Sequence, residues 1–354
     1  MGGEDLYRTA NLLRRQVEVR YPTGRGRMVL RTELDWDRDV PPEVVSDGGE
    51  TSTFTLEARK PFLYVKPLLR AGDGEARWSV GPNVLVPLTT DEADLVFPHF
   101  DAPEAGSFSP VLERDSSVLG RKHRVRVYLP PGYHENTLRR YPVLYMQDGK
   151  NLFFPEEAFL GRDWGVGAAL RLLDTMSAVD RVVVVGIHSG DRMGEYTKPG
   201  YEAYARSVVT EVKPEIDRRI RVLASPRETG VIGSSLGGVV SFFMAWEHPE
   251  VFGYAACMSS TFSHRDDLVD RVLSEPRRPS KLYLDSGWPG DNYEVTLAMA
   301  LALGRRGYRV REDFLHFVFP LEEHDELAWG RRLHLPVQLG LGTATTAQRR
   351  RPGS

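Results

Sequence analysis

The chain has 354 residues, 41% of them hydrophobic, and a formal net charge of −3. That is enough apolar material to core two domains, and the mixed charge leaves no footprint for nucleic acid or an anionic membrane. A single cysteine, Cys257, rules out an internal disulfide, and no apolar run reaches the ~18 residues that span a bilayer.

Met1-Gly2-Gly3-Glu4-Asp5-Leu6 has no basic start followed by an apolar core, so no secretory signal is expected and the cytoplasm is the default location. Met28 to Trp36, Thr51 to Ala58 and Phe62 to Leu69 alternate apolar and polar residues, as half-buried strands do. Gly- and Pro-rich turns such as Val40-Pro41-Pro42 and Ser46-Asp47-Gly48-Gly49-Glu50 separate them. With Trp78 and the run Asn83 to Leu88, residues 1–111 are expected to close a small immunoglobulin-like β-sandwich. Trp36 and Trp78 would be stacking platforms if this were a carbohydrate-binding module. Core packing is the commoner role for tryptophan and the expected one.

From residue 112 to 342, apolar strands alternate with amphipathic helices, which predicts a mostly parallel sheet covered on both faces. Tyr141 to Met146 reads as a buried strand broken by Gln147-Asp148-Gly149-Lys150, which is either a functional loop or only a tight turn. Arg181 to Ile187 is a second strand, followed by a loop with Arg192 and Glu195. These two side chains are placed to contact substrate or to pair with each other. Tyr201, Tyr204, Val208, Val212 and Ile216 repeat at helical spacing and are expected in the core, not in a cofactor site.

Val231-Ile232-Gly233-Ser234-Ser235-Leu236-Gly237-Gly238 is a G-x-S-x-G pattern between a buried strand and a helix predicted over Leu236–Glu247, ending at His248-Pro249. Serine is a weak nucleophile unless a sharp strand-to-helix turn presents its hydroxyl, and small neighbours permit that turn. Ser235 is the candidate nucleophile. The α/β-hydrolase order then requires an acid and a histidine on loops after later strands. Lys281 to Leu284 opens into Asp285-Ser286-Gly287-Trp288-Pro289-Gly290-Asp291, and Phe314 to Phe319 leads into Glu322-Glu323-His324. His324 is the candidate base, whereas His316 and His248 fit structural places. Asp291 is the candidate acid, with Glu294 and Asp285 as rivals. The oxyanion donors would be the backbone N–H groups of Leu236 and Lys150. The acidic cluster Glu322 to Glu326 lacks the paired histidines or cysteines of a zinc site and is expected to be a solvated loop, with no metal and no cofactor.

Four stretches resemble the putative esterase family of α/β-hydrolases: Val127 to Tyr133, Tyr141 to Phe153, Val183 to Ile187 with Arg192 and Glu195-Tyr196-Thr197, and Gly233 to Gly238 with His248 to Phe252. Within it the similarity is greatest to enterochelin-esterase-like proteins, which carry a β-sandwich before the catalytic domain. The resemblance implies cofactor-free ester hydrolysis by a serine triad on a small-molecule ester. Ser259 to His264 departs from the aromatics that relatives tend to place there, which unsettles any inference to a named substrate. Two other classes stay open at this level. One is an acyltransferase using the same acyl-enzyme, and the other a non-catalytic binding protein on the same fold. Oligomeric state is not legible, and the tail 343–354 is expected to be disordered.

Overall fold

Alternating side chains in the N-terminal segment build two small sheets around one shared core. The computed structural model describes residues 7–22, 24–71, 75–89 and 94–342, so the expected tail from residue 343 and the start Met1 to Leu6 lie outside the described residues. The strands are β1 (Leu13–Arg20), β2 (Arg27–Thr32), β3 (Asp35–Val40), β4 (Val44–Val45), β5 (Thr51–Ala58), β6 (Phe62–Arg70), β7 (Ala76–Trp78), β8 (Val84–Pro87) and β9 (Asp94–Val96). One sheet runs β4-β5-β1-β9 and the other β3-β2-β6-β7, with β8 also on β6. Val17, Val19, Phe54 and Leu56 from the first meet Met28, Leu30, Leu63 and Val65 from the second. This is the inside-outside alternation of a sandwich.

Two expectations need correction here. The run Met28 to Trp36 is not one strand but parts of a hairpin, because Thr32 Oγ1 accepts from the N–H of Leu34 and turns the chain between β2 and β3. Trp78, expected in the core, is 42% exposed on the edge strand β7, with the Arg31 guanidinium 5.1 Å from its ring centre. Trp36 is only half-buried.

The main sheet follows, with β10 (Ser107–Phe108), β11 (Leu112–Ser116), β12 (Arg121–Leu129), β13 (Val143–Met146), β14 (Val183–Ile187), β15 (Thr229–Ser234), β16 (Tyr254–Met258), β17 (Lys281–Trp288) and β18 (Phe314–Pro320). Its order is β10-β12-β14-β13-β15-β16-β17-β18, with β11 also paired to β12. The strands from β14 to β18 run parallel, and β12 joins β14 antiparallel. Because β10 already pairs with β12, this sheet begins ahead of the expected boundary at residue 112. Phe108 anchors it there against Tyr128, Phe153 and Phe154.

Along β15, Val231 points into one core with helix Leu236–Glu247, and Ile232 into the other with helices Val166–Thr175 and His334–Leu341. A strand covered on both faces must be apolar at successive positions, which is why these read as continuous runs. Tyr201, Tyr204, Val208, Val212 and Ile216 are all buried, on a helical segment whose middle turn, Val208–Val212, widens to π geometry. Among the described residues no helix is long and apolar enough to cross a membrane.

The N-terminal sheets dock onto the main domain through Glu135. Its carboxylate accepts from Tyr21 Oη (2.7 Å) and from the N–H groups of Phe100, Asp101 and Ala102 (2.7, 2.8 and 2.7 Å). Nearby, burial and the Arg181 guanidinium push His99 down to about 4. Burial, with Arg124, Lys150 and Arg126 close by, does the same to His188. Both rings are neutral in the fold, whereas in the unfolded chain they take up protons near ~6.5. Their contribution to stability is therefore full above ~6.5 and is lost as pH falls toward 4, by about 2 kcal/mol each at about pH 5. Urea unfolding should show a clearly lower midpoint at about pH 5 than at about pH 7.5. Equal midpoints would show that these rings are not held neutral.

Candidate active site

The carboxyl ends of parallel strands are where an open α/β sheet gathers functional side chains, since loops there leave the layer of covering helices. Ser234 ends β15, and Ser235 sits between it and helix Leu236–Glu247 with φ 56° and ψ −125°. A positive φ at a non-glycine residue is strained and persists only where its surroundings over-determine it. Here they do. A Cβ on Gly233 would fall on the carbonyl of Gly237, and a Cβ on Gly237 would lie 3.1 Å from Asp148 Oδ2. The Ser235 N–H donates to the carbonyl of Met258 on the adjacent strand (2.9 Å). The predicted helix bounds hold to the residue.

The loop after β13 abuts this turn. Asp148 also adopts a left-handed conformation (φ 54°), and its carboxylate is gripped by Arg192, with Nε at 2.9 Å from Oδ1 and Nη2 at 3.0 Å from Oδ2. Arg192 Nη2 also donates to the carbonyl of Ser234 (3.3 Å), so one guanidinium ties this loop to the end of β15. Below it Gln147 Oε1 accepts from Tyr204 Oη (2.6 Å), both side chains buried. Lys150 lies in the short 3₁₀ turn Gly149–Asn151, closed by the Asn151 N–H on the Asp148 carbonyl (2.8 Å). Leu236 is the first residue of its helix, where an N–H has no carbonyl to reach within the helix. Arg192 and Glu195, expected to touch substrate or each other, take separate partners. Glu195 meets Arg121 through two 2.5 Å hydrogen bonds.

His324, in the loop after β18, places Nδ1 2.6 Å from Oδ1 of Asp291, in the loop after β17. A carboxylate can only accept, so Nδ1 carries the proton and Nε2 is left basic. The Trp329 ring stands edge-on to the imidazole, centroids 5.0 Å apart. Asp291 Oδ2 accepts from the Gly287 N–H (2.7 Å) and from the Ser259 hydroxyl, while Oδ1 also takes the Asn292 N–H (2.7 Å). Burial pushes this carboxyl up, but the hydrogen bonds from His324, Ser259, Gly287 and Asn292 outweigh it and hold it below the usual carboxylate range.

The two rival acids sit elsewhere. Asp285 is not in a loop, as expected, but inside β17, because the strand continues to Trp288 in register with Pro320. Its side chain is fully buried, engaged by Arg332 and by Tyr283 Oη (2.9 Å). Glu294 is exposed on helix Tyr293–Arg305.

The acidic cluster is divided among three tasks. Glu322 pairs with Arg331 (2.7 Å), Asp325 caps the next helix by accepting from Ala328 N–H (2.8 Å), and Glu326 accepts from Asn151 Nδ2 (3.1 Å). Among the described residues no three His, Cys, Asp or Glu side chains cluster as a metal site. Asn151 was not foreseen. It joins the loop after β13 to the helix after His324, and nothing in its local sequence announces that.

A family model described as "Putative esterase" matches residues 116–317, more than half of the chain. The chain belongs to the Putative esterase family. Of its curated relatives, the uncharacterized protein YbbA of Bacillus subtilis is 27% identical over 157 residues, covering 39% of this chain and 57% of YbbA. An endo-1,4-beta-xylanase/feruloyl esterase of Xylanibacter ruminicola is 25% identical over 233 residues, covering 63% of this chain and 30% of that protein. The chain thus spans from under a third to just over half the length of the curated relatives it matches. Among solved structures, the enterobactin esterase FES of Shigella flexneri superposes with a TM-score of 0.55 at 14% identity, covering 94% of this chain and 95% of that one. At that identity the likeness is one of fold, and it takes in the N-terminal sheets as well as the esterase domain.

Proposed function

We propose that this Putative esterase family member is a serine hydrolase that cleaves a small carboxylic ester through an acyl-enzyme on Ser235. The observation that carries the reading is the 2.6 Å His324–Asp291 hydrogen bond, on loops after the two strands that follow β16 in the sheet, with Ser235 at positive φ at the end of β15. The Ser235 hydroxyl attacks the ester carbonyl while its proton passes to His324 Nε2. The tetrahedral oxyanion takes the N–H groups of Leu236 and Lys150, each worth about 3 kcal/mol if aimed at it. Collapse expels the alcohol, which leaves with the proton from His324. Water then attacks the acyl-enzyme by the same route, and Ser235 is restored. Asp291 keeps Nδ1–H toward itself and steadies the imidazolium. In this reading Arg192 shapes the oxyanion loop through Asp148, and Glu195 braces the segment behind it. The N-terminal sandwich is read as immunoglobulin-like, supported by its two facing sheets and the two-domain likeness to FES.

A fluorophosphonate probe tests this directly, since it reacts with a serine activated by a neighbouring base. The purified protein should be labelled on Ser235 and should hydrolyse a short-chain aryl ester with the same rate in EDTA as without it. Activity lost in EDTA and restored by zinc or manganese would sink the serine reading.

A further inference from the structure

Ser259 follows β16, the strand that lies between the one ending in the nucleophile and the one leading to the acid. It is fully buried, with φ 43°, a left-handed conformation that serine rarely adopts. Its backbone is pinned on both sides. The N–H donates to the Asp285 carbonyl (2.8 Å), and the carbonyl accepts from Asn292 Nδ2 (2.7 Å).

The hydroxyl has two partners of opposite kind. Arg332 Nη2 donates to its oxygen (2.9 Å), and the hydroxyl faces Asp291 Oδ2. Arginine has no acceptor and an ionised carboxylate has no donor. The one hydroxyl proton is therefore directed to Asp291. Arg332 is itself fixed, donating from Nε to Asp285 Oδ2 (3.3 Å) and from Nη2 to Asp285 Oδ1 (3.2 Å), both side chains being buried. The buried ion pair Asp285–Arg332 thus serves as a rigid base that sets the direction of a serine hydroxyl.

We propose that Ser259 is a positioning residue for the acid, polarised by Arg332 so that its hydroxyl holds Asp291 Oδ2 and turns Oδ1 toward His324. The inference rests on the serine-hydrolase reading above. Asp291 sits one residue past Gly290, and besides His324 its carboxylate is held by two backbone N–H groups and the Ser259 hydroxyl. Its two oxygens are not equivalent. Oδ1 serves His324 and the Asn292 N–H, and Oδ2 serves Ser259 and the Gly287 N–H. Without the hydroxyl, Oδ2 keeps only the Gly287 N–H, and the carboxylate is held less firmly in the orientation that aims Oδ1 at the imidazole.

Ser259→Gly is the test variant, because glycine suits the positive φ and removes only the hydroxymethyl group. Ser259→Ala is the second variant, in case glycine loosens the segment. On a short-chain aryl ester, kcat should fall roughly 10- to 100-fold with KM nearly unchanged, the scale of a small misplacement of a catalytic group. The far-downfield proton resonance of the His324–Asp291 hydrogen bond should shift or broaden in both variants. A purely structural role would lower the melting temperature and leave both kcat per folded enzyme and that resonance as in the wild type. Either a kcat within about twofold of wild type or an unmoved resonance overturns the proposal. Ser235→Ala is measured alongside. If it keeps its activity, the serine reading itself has failed; if it is inactive while the Ser259 variants match wild type, only the positioning role has.

Discussion

Replacing Ser235 with alanine should abolish turnover of a short-chain aryl ester and labelling by a fluorophosphonate, while the protein stays folded. The loss follows from position. Among the described residues no other hydroxyl stands at the apex of a strand-to-helix turn with its backbone at φ 56° and a glycine on each side that lets helix and strand approach. Ser234, the alternative in the motif, is the last residue of β15 and is buried. Alanine accepts the same backbone strain as serine, because both carry one Cβ and neither is branched, so the turn should survive. A residual rate about 10³ above water is expected, from the Leu236 and Lys150 N–H groups and from substrate binding, neither of which the substitution removes. The measurement is kcat/KM against wild type, with circular dichroism to show the fold. Near-full activity in Ser235→Ala would place the nucleophile elsewhere and end the triad assignment.

The parts of this architecture that were legible in the sequence are those set by local pattern. The apolar run before Gly233 and the break at His248-Pro249 define a strand and a helix; the helix occurs with the expected bounds, and the strand runs on past Ile232 to Ser234. The spacing of Tyr201, Tyr204, Val208, Val212 and Ile216 marks a buried helix face because one face of a 3.6-residue repeat has only that way to be apolar. Pairings between distant residues carry no such pattern. Asp148 and Arg192 are 44 positions apart, and Asp285 and Arg332 are 47 apart. Each pair forms because strand order brings the loops together, and no window along the chain contains both partners. Asp285 shows the cost of this: read locally it begins a polar, glycine-containing loop, yet pairing with β18 keeps the chain extended to Trp288. The same holds at Trp78, where an apolar side chain in a strand looks like core until the sheet order makes that strand an edge.

Asp291→Asn should cut kcat by up to about 10⁴, the second largest effect expected of any single change. In the proposed mechanism the carboxylate does two things an amide does poorly. It accepts from Nδ1 of His324 across 2.6 Å, which fixes the tautomer that leaves Nε2 able to take a proton, and it offsets the charge of the imidazolium once that proton arrives. An asparagine placed there can turn its NH₂ toward the ring, which then protonates on the wrong nitrogen. The neighbouring acids provide the controls. Glu294→Gln should leave kcat close to wild type, since that side chain is exposed on helix Tyr293–Arg305. Asp285→Asn should lower stability, because it leaves the buried Arg332 without its counter-charge, and breaking such a pair typically costs about 3–5 kcal/mol. Through Arg332 and Ser259 it should also lower kcat, by far less than Asp291→Asn does. Steady-state kinetics and thermal melts on the three variants separate these outcomes. A larger loss of kcat from Glu294→Gln than from Asp291→Asn would reverse the assignment of the acid, and a full-strength Asp291→Asn enzyme would show that His324 is oriented by something other than this carboxylate.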